Sequence, residues 1–369
     1  MINNHVTVLE IDGRALKHNL SYFRQKLDSN TKVLAVVKAF GYGSDGVQVA
    51  TFLDNRVDYF AVAYTHEGEA LRKAGVKTPI LVLHPQIQNF QQLTKNCLEP
   101  SIYNLKILTA FLCYAEENDL HHYPIHLKFN TGLNRLGFNH SDTQAILTKI
   151  QVLQYLKIAS IFSHLAASED LDEKEFTLGQ LNHFSVIVKQ FQKHLTYKPM
   201  THILNTSGVI NYPQAQFDMV RIGIGMYGFG NDSQETSKLK NTHILKSIIS
   251  QIHLIMPEET VGYNRAYISK GETKIATIPV GHADGISRKL GHTKGYVTIA
   301  GQKAPIVGNV CMDMIMVDIT NIDCGEGDQV IIFGNQQDIL HMASEVETIS
   351  YEILTAISQR IKRAFIFED

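Results

Sequence analysis

The sequence predicts an α/β plus β fold, with an N-terminal (β/α)8 barrel followed by a mostly β C-terminal domain. Three observations carry this. Short, near-continuous apolar runs recur through the first two thirds of the chain, polar segments of helical period separate most of them, and the texture changes near residue 240. Strands buried on both faces read as unbroken apolar runs, and alternation with helices makes them parallel units. Eight such units in about 200 residues point to a closed barrel rather than an open sheet.

The runs are Val33–Val37, Tyr59–Ala63, Pro79–Leu83, Leu98–Ile102, Ile125–Phe129, Ile158–Phe162, Met200–Leu204 and Asp218–Ile222. Helices are expected over Glu67–Ala74, Leu105–Glu117 and Glu173–Leu195, and another should start after Ser44-Asp45. Ser233–Asn241 is polar and loop-like. Strands separated by turns then follow: Ser247–Ile255, Thr273–Pro279, Gly295–Ala300, Lys303–Val307, Met314–Asp318 and Gln329–Phe333. Gly325-Glu326-Gly327-Asp328 is one of the turn signals. A final amphipathic helix over Ala343–Ile361 is expected to close the second domain.

Composition narrows the function. The chain has 369 residues, enough for two domains, with 44% hydrophobic and 19% charged residues and a formal net charge of -2. No basic excess points to nucleic acid, and no apolar run is long enough to span a membrane. The N-terminus lacks the pattern of a signal peptide. Cys97, Cys113, Cys311 and Cys324 are scattered without CxxC spacing, which reads as free thiols in a reducing cytoplasm. The histidines His121, His122 and His126 lack ligand spacing, so no metal is expected.

Barrel enzymes carry their reactive groups at the C-terminal ends of strands. The expected strand ends hold Lys38, Lys128, His164, Asn205 and Arg221. A lysine ending an apolar strand is partly desolvated, which lowers its pKa and favours imine chemistry. RIGIGMYG (Arg221–Gly228) places glycines after the eighth strand, where barrels build phosphate sites from backbone N–H groups. Its GxGxxG is not read as a dinucleotide fingerprint, because no helix is expected directly after it. A reactive lysine beside a phosphate cradle implies pyridoxal phosphate, held by a lysine, a phosphate clamp and a partner for the pyridine nitrogen.

These segments resemble the bacterial alanine racemases. AVVKAFGYG resembles the family's pyridoxal-lysine motif, and KFNTGLNRLGF (Lys128–Phe138) its arginine motif. SHLAASED is similar to its histidine motif, HILNTSG and RIGIGMYG to its phosphate segments, and VGYNRAY to its catalytic-tyrosine motif. VGHADG, GNVCMDM and YEILTAISQRIKR complete the family order. The resemblance implies a barrel over 12–238 and a β domain formed by 239–369 with 1–11, its strand near Thr7–Ile11 joining the second domain. It implies a homodimer with shared active sites, racemisation of alanine for peptidoglycan, and pyridoxal phosphate as cofactor.

The resemblance also assigns roles. Lys38 and the partner subunit's Tyr263 become the two catalytic groups, one on each face of the substrate's α-carbon. His164 should bond that tyrosine, and Arg221 should bond His164 and face the pyridine nitrogen. Tyr42, Asn205, Thr206, Gly223, Ile224 and Tyr351 should hold the cofactor, chiefly its phosphate. Arg135 and the main-chain N–H of Met312 should hold the substrate carboxylate. Departures from the family pattern are Phe40 for Asn or Asp, Asn130 for Asp, Thr206 for Ser, Glu169 for Asp and His282 for Tyr. Lys128 stands where the family sometimes carries a carbamylated lysine or a nearby chloride.

Other functions remain in view at this point. A broader racemase acting on serine would keep the same motifs, with Phe40 and His282 altering access. A decarboxylase of this architecture should place an acid at the pyridine nitrogen, where Arg221 stands. A non-catalytic pyridoxal-phosphate-binding protein or a barrel scaffold would need neither Tyr263 nor the second domain.

Overall fold

The computed structural model describes residues 5–151 and 155–367. Strand β1 (Val8–Asp12) comes first. Asp12 then caps the helix Gly13–Arg24 by accepting the N–H groups of Arg14 and Ala15. Eight parallel strands follow: β2 (Lys32–Val36), β3 (Tyr59–Val62), β4 (Ile80–Val82), β5 (Glu99–Ile102), β6 (Tyr123–Lys128), β7 (Leu156–Phe162), β8 (Met200–His202) and β9 (Met219–Ile222). They pair in the order β8-β7-β6-β5-β4-β3-β2-β9. Two further bonds link the outer members, Asp218 N–H to Thr201 O and Arg221 N–H to Leu204 O, both 3.0 Å. The result is a nearly closed eight-stranded barrel.

All eight expected barrel strands are present, each shifted by a few residues at most. Leu34, Phe60, Leu81 and Ile125 are fully buried, as strands covered by helices outside and side chains inside require. The helix Leu105–Glu117 buries Ile107, Leu108, Phe111, Leu112 and Ala115 along one stripe, and Asn104 caps it through the Ile107 N–H. Asp45 caps Gly46–Leu53 in the same way, so that helix starts where the sequence places it.

The second domain contains β10 (His243–Ile248), β11 (Gln251–Ile255), β12 (Thr260–Val261), β13 (Tyr267–Ile268), β14 (Thr273–Ile278), β15 (Tyr296–Ile299), β16 (Gln302–Val307), β17 (Ile315–Asp318), β18 (Gln329–Phe333) and β19 (Lys362–Ile366). Apart from the small β12–β13 pair, they form one sheet with β1, ordered β11-β14-β17-β16-β15-β18-β10-β1-β19. β1 lies between antiparallel β10 and parallel β19.

Three expectations need correction. Ser247–Ile255 is two strands, because Ile249 N–H turns to Asp328 O while Ser250 N–H turns to Thr277 O. The chain thus leaves one set of neighbours for another within a single apolar run. The helix expected over Ala343–Ile361 is instead the end of helix Gln336–Glu345, a break at Glu347 (φ 60°), helix Ser350–Ala356 and a turn that leads into β19. The left-handed backbone at Glu347 and the extended backbone at Ile357 (ψ 113°) interrupt the helical period there. The polar segment 233–241 holds a short helix, Ser233–Thr236, which Asp232 caps.

Candidate active site

Lys38 follows β2 at the C-terminal mouth of the barrel. The backbone after it runs through a left-handed turn, with φ of 54° at Ala39, 54° at Phe40, 62° at Gly41, 55° at Tyr42 and 84° at Gly43. Such a run is costly for residues with side chains. Two contacts hold it. Glu67 accepts the N–H groups of Ala39, Ala63 and Tyr64 at 2.8, 2.7 and 3.1 Å, tying the turn to the end of β3. A Cβ on Gly43 would run into the Leu354 carbonyl, so the turn also packs tightly on helix Ser350–Ala356. Phe40 lies under the Arg363 guanidinium, 5.2 Å from its ring centroid.

The barrel mouth holds a cavity of about 480 Å³. Lys38, Tyr42, Arg135, His164 and Asn205 line it, together with Thr206, Arg221, Gly223, Ile224 and Tyr351. Lys128 adds a fourth cation, and no Asp or Glu is among the described residues that line it. Burial, and secondarily Arg135, holds the Lys38 amine below its ordinary pKa, while Glu67 opposes the shift. Burial also pushes Lys128 down to about 8, helped by Arg135, Arg221 and Lys38. An adjoining cavity of about 820 Å³ shares Arg135, His164, Asn205, Ile224 and Tyr351 and continues past Glu169.

Arg221 is the most constrained of these cations. One guanidinium nitrogen donates to the carbonyls of Ser163 and Ile203, both at 2.8 Å, and to His164 Nδ1 at 3.0 Å. The other donates to His202 Nδ1 at 2.7 Å. Burial lowers the Arg221 pKa to about 9. Burial and Arg221 together push the pKa of both histidines well down, so both rings are neutral. A guanidinium only donates, so each Nδ1 accepts and each Nε2 carries the hydrogen. Phe162 stacks face to face on His202 at 4.8 Å and lies below Arg221.

Across the cavity, Thr206 Oγ1 accepts the N–H groups of Gly223 and Gly225 at 3.2 and 3.3 Å. A Cβ on Gly223 would collide with the Tyr42 hydroxyl. Glycine there lets the Tyr42 and Thr206 hydroxyls and the backbone of 223–224 converge on one spot. Asn205 Oδ1 accepts from Ser168 and from the Gly208 N–H. Tyr42 stacks on Tyr227 at 4.7 Å and tilts against Tyr351 at 6.0 Å. Asn130 accepts the N–H groups of Gly132 and Asn134, shaping the turn that leads to Arg135.

Tyr263 and Met312 are not brought to this cavity within the chain. They line a separate shallow face with Cys311 and Asp313, and no residue is shared between the two. Tyr263 is 72% exposed and Met312 59%. Arg360 ties this face down by bonding the buried Asp284 through two nitrogens and Asp313 at 2.6 Å. Sequence reasoning missed His202, Phe162 and Glu67. Only His202, three residues before Asn205 at the end of β8, offered a signal.

Comparison with known proteins agrees with this geometry. Residues 11–230 match the family model of the alanine racemase N-terminal domain and residues 243–365 that of the C-terminal domain. The alanine racemase of Thermodesulfovibrio yellowstonii is 35% identical over 98% of each chain. Alanine racemase 1 of Caldanaerobacter subterraneus is 32% identical over 98% of this chain and 95% of that one. Among solved structures, the Clostridium difficile 630 alanine racemase superposes with a TM-score of 0.93 at 30% identity, covering 99% of this chain and 97% of that one. The Bartonella henselae alanine racemase, solved with covalently bound pyridoxal phosphate, gives 0.88 at 27% identity, covering 98% of this chain and 100% of that one. On sequence and architecture alike, the chain belongs to the alanine racemase family of isomerases.

Proposed function

We propose that the chain interconverts L- and D-alanine with pyridoxal phosphate, using Lys38 on one face of the substrate and the partner subunit's Tyr263 on the other. The observation that carries this is a lysine, two arginines and a bonded histidine facing one carboxylate-free cavity. The donor set suits an anionic cofactor of this kind. A reactive amine lies on one side, the hydroxyl-and-backbone cradle of Tyr42, Thr206 and Gly223 on the other, and a fixed guanidinium between them. Bound there, pyridoxal phosphate supplies an electron sink that acidifies the amino acid's α-proton.

The chain's own residues do the rest. Lys38, its amine made more basic-form-rich by burial, anchors the cofactor and takes or returns a proton at the α-carbon. His164 presents its Nε2–H to the phenolic oxygen of the partner subunit's Tyr263, which lowers the cost of deprotonating that tyrosine. Arg221, a donor with no lone pair to offer, keeps a facing pyridine nitrogen unprotonated and restrains side reactions. Arg135 and the main-chain N–H of the partner's Met312 hold the substrate carboxylate. Tyr42, Asn205, Thr206, Gly223, Ile224 and Tyr351 seat the phosphate end.

The active unit is a homodimer, and the exposed face around Tyr263 is the surface offered to the partner's cavity. The chain divides at 12–238 for the barrel and 1–11 with 239–369 for the β domain. It acts in the cytoplasm, supplying D-alanine to peptidoglycan. The four free thiols fit that compartment, and no described helix is long and apolar enough to cross a membrane.

The test is an absorbance spectrum with pyridoxal phosphate, alongside the optical rotation of L-alanine. A visible cofactor band and decay of rotation, both abolished by Lys38→Ala, are expected. A protein that stays colourless with added cofactor overturns the reading. A coloured protein inactive on alanine but active on serine moves the substrate.

A further inference from the structure

A belt of polar side chains crosses the barrel interior, where apolar layers are the rule. Glu99, His126, Ser160, His202 and Arg221 occupy five neighbouring strands, β5 to β9, one residue on each. His126, Ser160 and His202 are 0% exposed. The links are short. Glu99 Oε2 lies 2.7 Å from His126 Nε2, and His126 Nδ1 lies 2.6 Å from Ser160 Oγ. Ser160 Oγ lies 2.9 Å from His202 Nε2, and His202 Nδ1 lies 2.7 Å from Arg221.

We propose that Glu99, partly exposed at the far end and acting through His126, Ser160 and His202, is the counter-charge that orients Arg221. Glu99 and His126 are positioning residues, since neither lines the cavity. The two ends fix the direction of every bond. Arg221 can only donate and an ionised Glu99 can only accept. Arg221 therefore gives to His202 Nδ1, His202 Nε2–H gives to Ser160, Ser160 O–H gives to His126 Nδ1, and His126 Nε2–H gives to Glu99. Each neutral ring has one donor and one acceptor, and the belt uses both; the Ser160 hydroxyl gives its one hydrogen and accepts one. No proton needs to move; aligned bonds polarise one another in a low-dielectric interior.

Charge accounting points the same way. Burying a guanidinium without a counter-ion is costly. Among the described residues no carboxylate bonds Arg221, and Lys38 and Lys128 share its cavity. Tyr59 on β3 supports the far end, meeting His126 edge-on at 5.8 Å, and burial together with the nearby Glu99 raises the pKa of its phenol. The inference rests on the proposed function only where it predicts kinetics; the belt itself is a matter of bonds within the chain.

The experiment is ring-nitrogen NMR of the holoenzyme labelled with 15N-histidine, comparing wild type, Glu99→Gln, Ser160→Ala and the double variant. His126 and His202 are expected as neutral rings with hydrogen on Nε2. Glu99→Gln keeps an acceptor but removes the charge, and should shift both ring nitrogens of His202. Ser160→Ala severs the belt at its middle, so adding Glu99→Gln should then leave His202 unmoved. Turnover should fall roughly three- to tenfold in Glu99→Gln with KM for alanine unchanged, and by little more in the double variant. His202 shifts that ignore Glu99→Gln, or a His202 hydrogen on Nδ1, overturn the proposal even if Tm drops. If Glu99→Gln does not fold, the His202 and His126 tautomers in wild type and Ser160→Ala decide it alone. Shifts that respond while turnover does not support the belt and overturn instead the placement of Arg221 against the cofactor.

Discussion

The barrel mouth and the Tyr263 face are built in opposite ways. At the mouth, Arg221 has four hydrogen-bonded partners, His164 and His202 are locked as tautomers, and the turn after Lys38 is pinned by Glu67 and Leu354. On the other face Tyr263 is 72% exposed, and Asn264 and Arg265 beside it have φ of 59° and 53°. One half is finished within a single chain. The other presents a phenol on a shallow face that shares no residue with the Lys38 cavity. Under the proposed function, the difference teaches that pre-organisation is concentrated on the side that meets the cofactor, while Tyr263, the second proton carrier of that proposal, is left for an assembled interface to position.

The largest effect that can break this comparison is Lys38→Ala, expected to lower racemisation on the order of 10³-fold or more by coupled assay. Tyr263→Phe should cost about 10²-fold or more while leaving Tm unchanged, because so exposed a hydroxyl has no partner to lose among the described residues. Mixing the two dead variants under conditions of subunit exchange sharpens the point. A shared site predicts recovery of about a quarter of wild-type activity, since half the dimers are mixed and each has one intact site. No recovery would place both groups in one chain's site.

Next in size is Gly223→Ala. The added Cβ collides with the Tyr42 hydroxyl, and cofactor affinity measured by fluorescence should fall about tenfold. Lys128 then separates the stability cost of the crowded mouth from its function. Its folded pKa is pushed down to about 8 from an ordinary value of 10.5. Between those values the unfolded chain binds more protons, so this contribution to stability rises with pH, and below about 8 the penalty is felt in full. Lys128→Met should therefore stabilise the protein at pH 7 by about 2 kcal/mol, with the gain shrinking toward pH 10 in denaturant titrations. Smallest is Arg360→Ala, which frees Asp313 beside Met312 and should raise KM for alanine roughly threefold with kcat little changed.

Much of this was legible in the residues. The barrel strands announced themselves because burial on both faces demands unbroken apolar runs, and the cap at Asp45 marked its helix correctly. Lys38, His164 and Arg221 could be named because strand ends are where barrels keep reactive groups. The split within Ser247–Ile255 was hidden, since an apolar run records burial and not which neighbour provides it. The same limit hid β19. The belt from Glu99 to Arg221 was less visible still. Its partners are separated by 27, 34, 42 and 19 positions, and a buried histidine such as His126 looks alone until its neighbouring strands are known. Phe40 was flagged only as a departure. Its left-handed backbone is one that the Asn or Asp expected from the resemblance would tolerate better.

The place of β1 has a consequence for biosynthesis. Its two sheet neighbours begin at His243 and Lys362, so the first strand leaves the ribosome long before either exists. The barrel's own strands all lie between β1 and β10 in the chain and can pair as they emerge. A nascent chain must therefore keep an unpaired, apolar strand exposed through most of its translation, and the second domain can be sealed only when the last strand arrives. Premature stops just short of residue 362 should yield chains with the whole barrel and every group around Lys38, yet with an open sheet edge prone to aggregation.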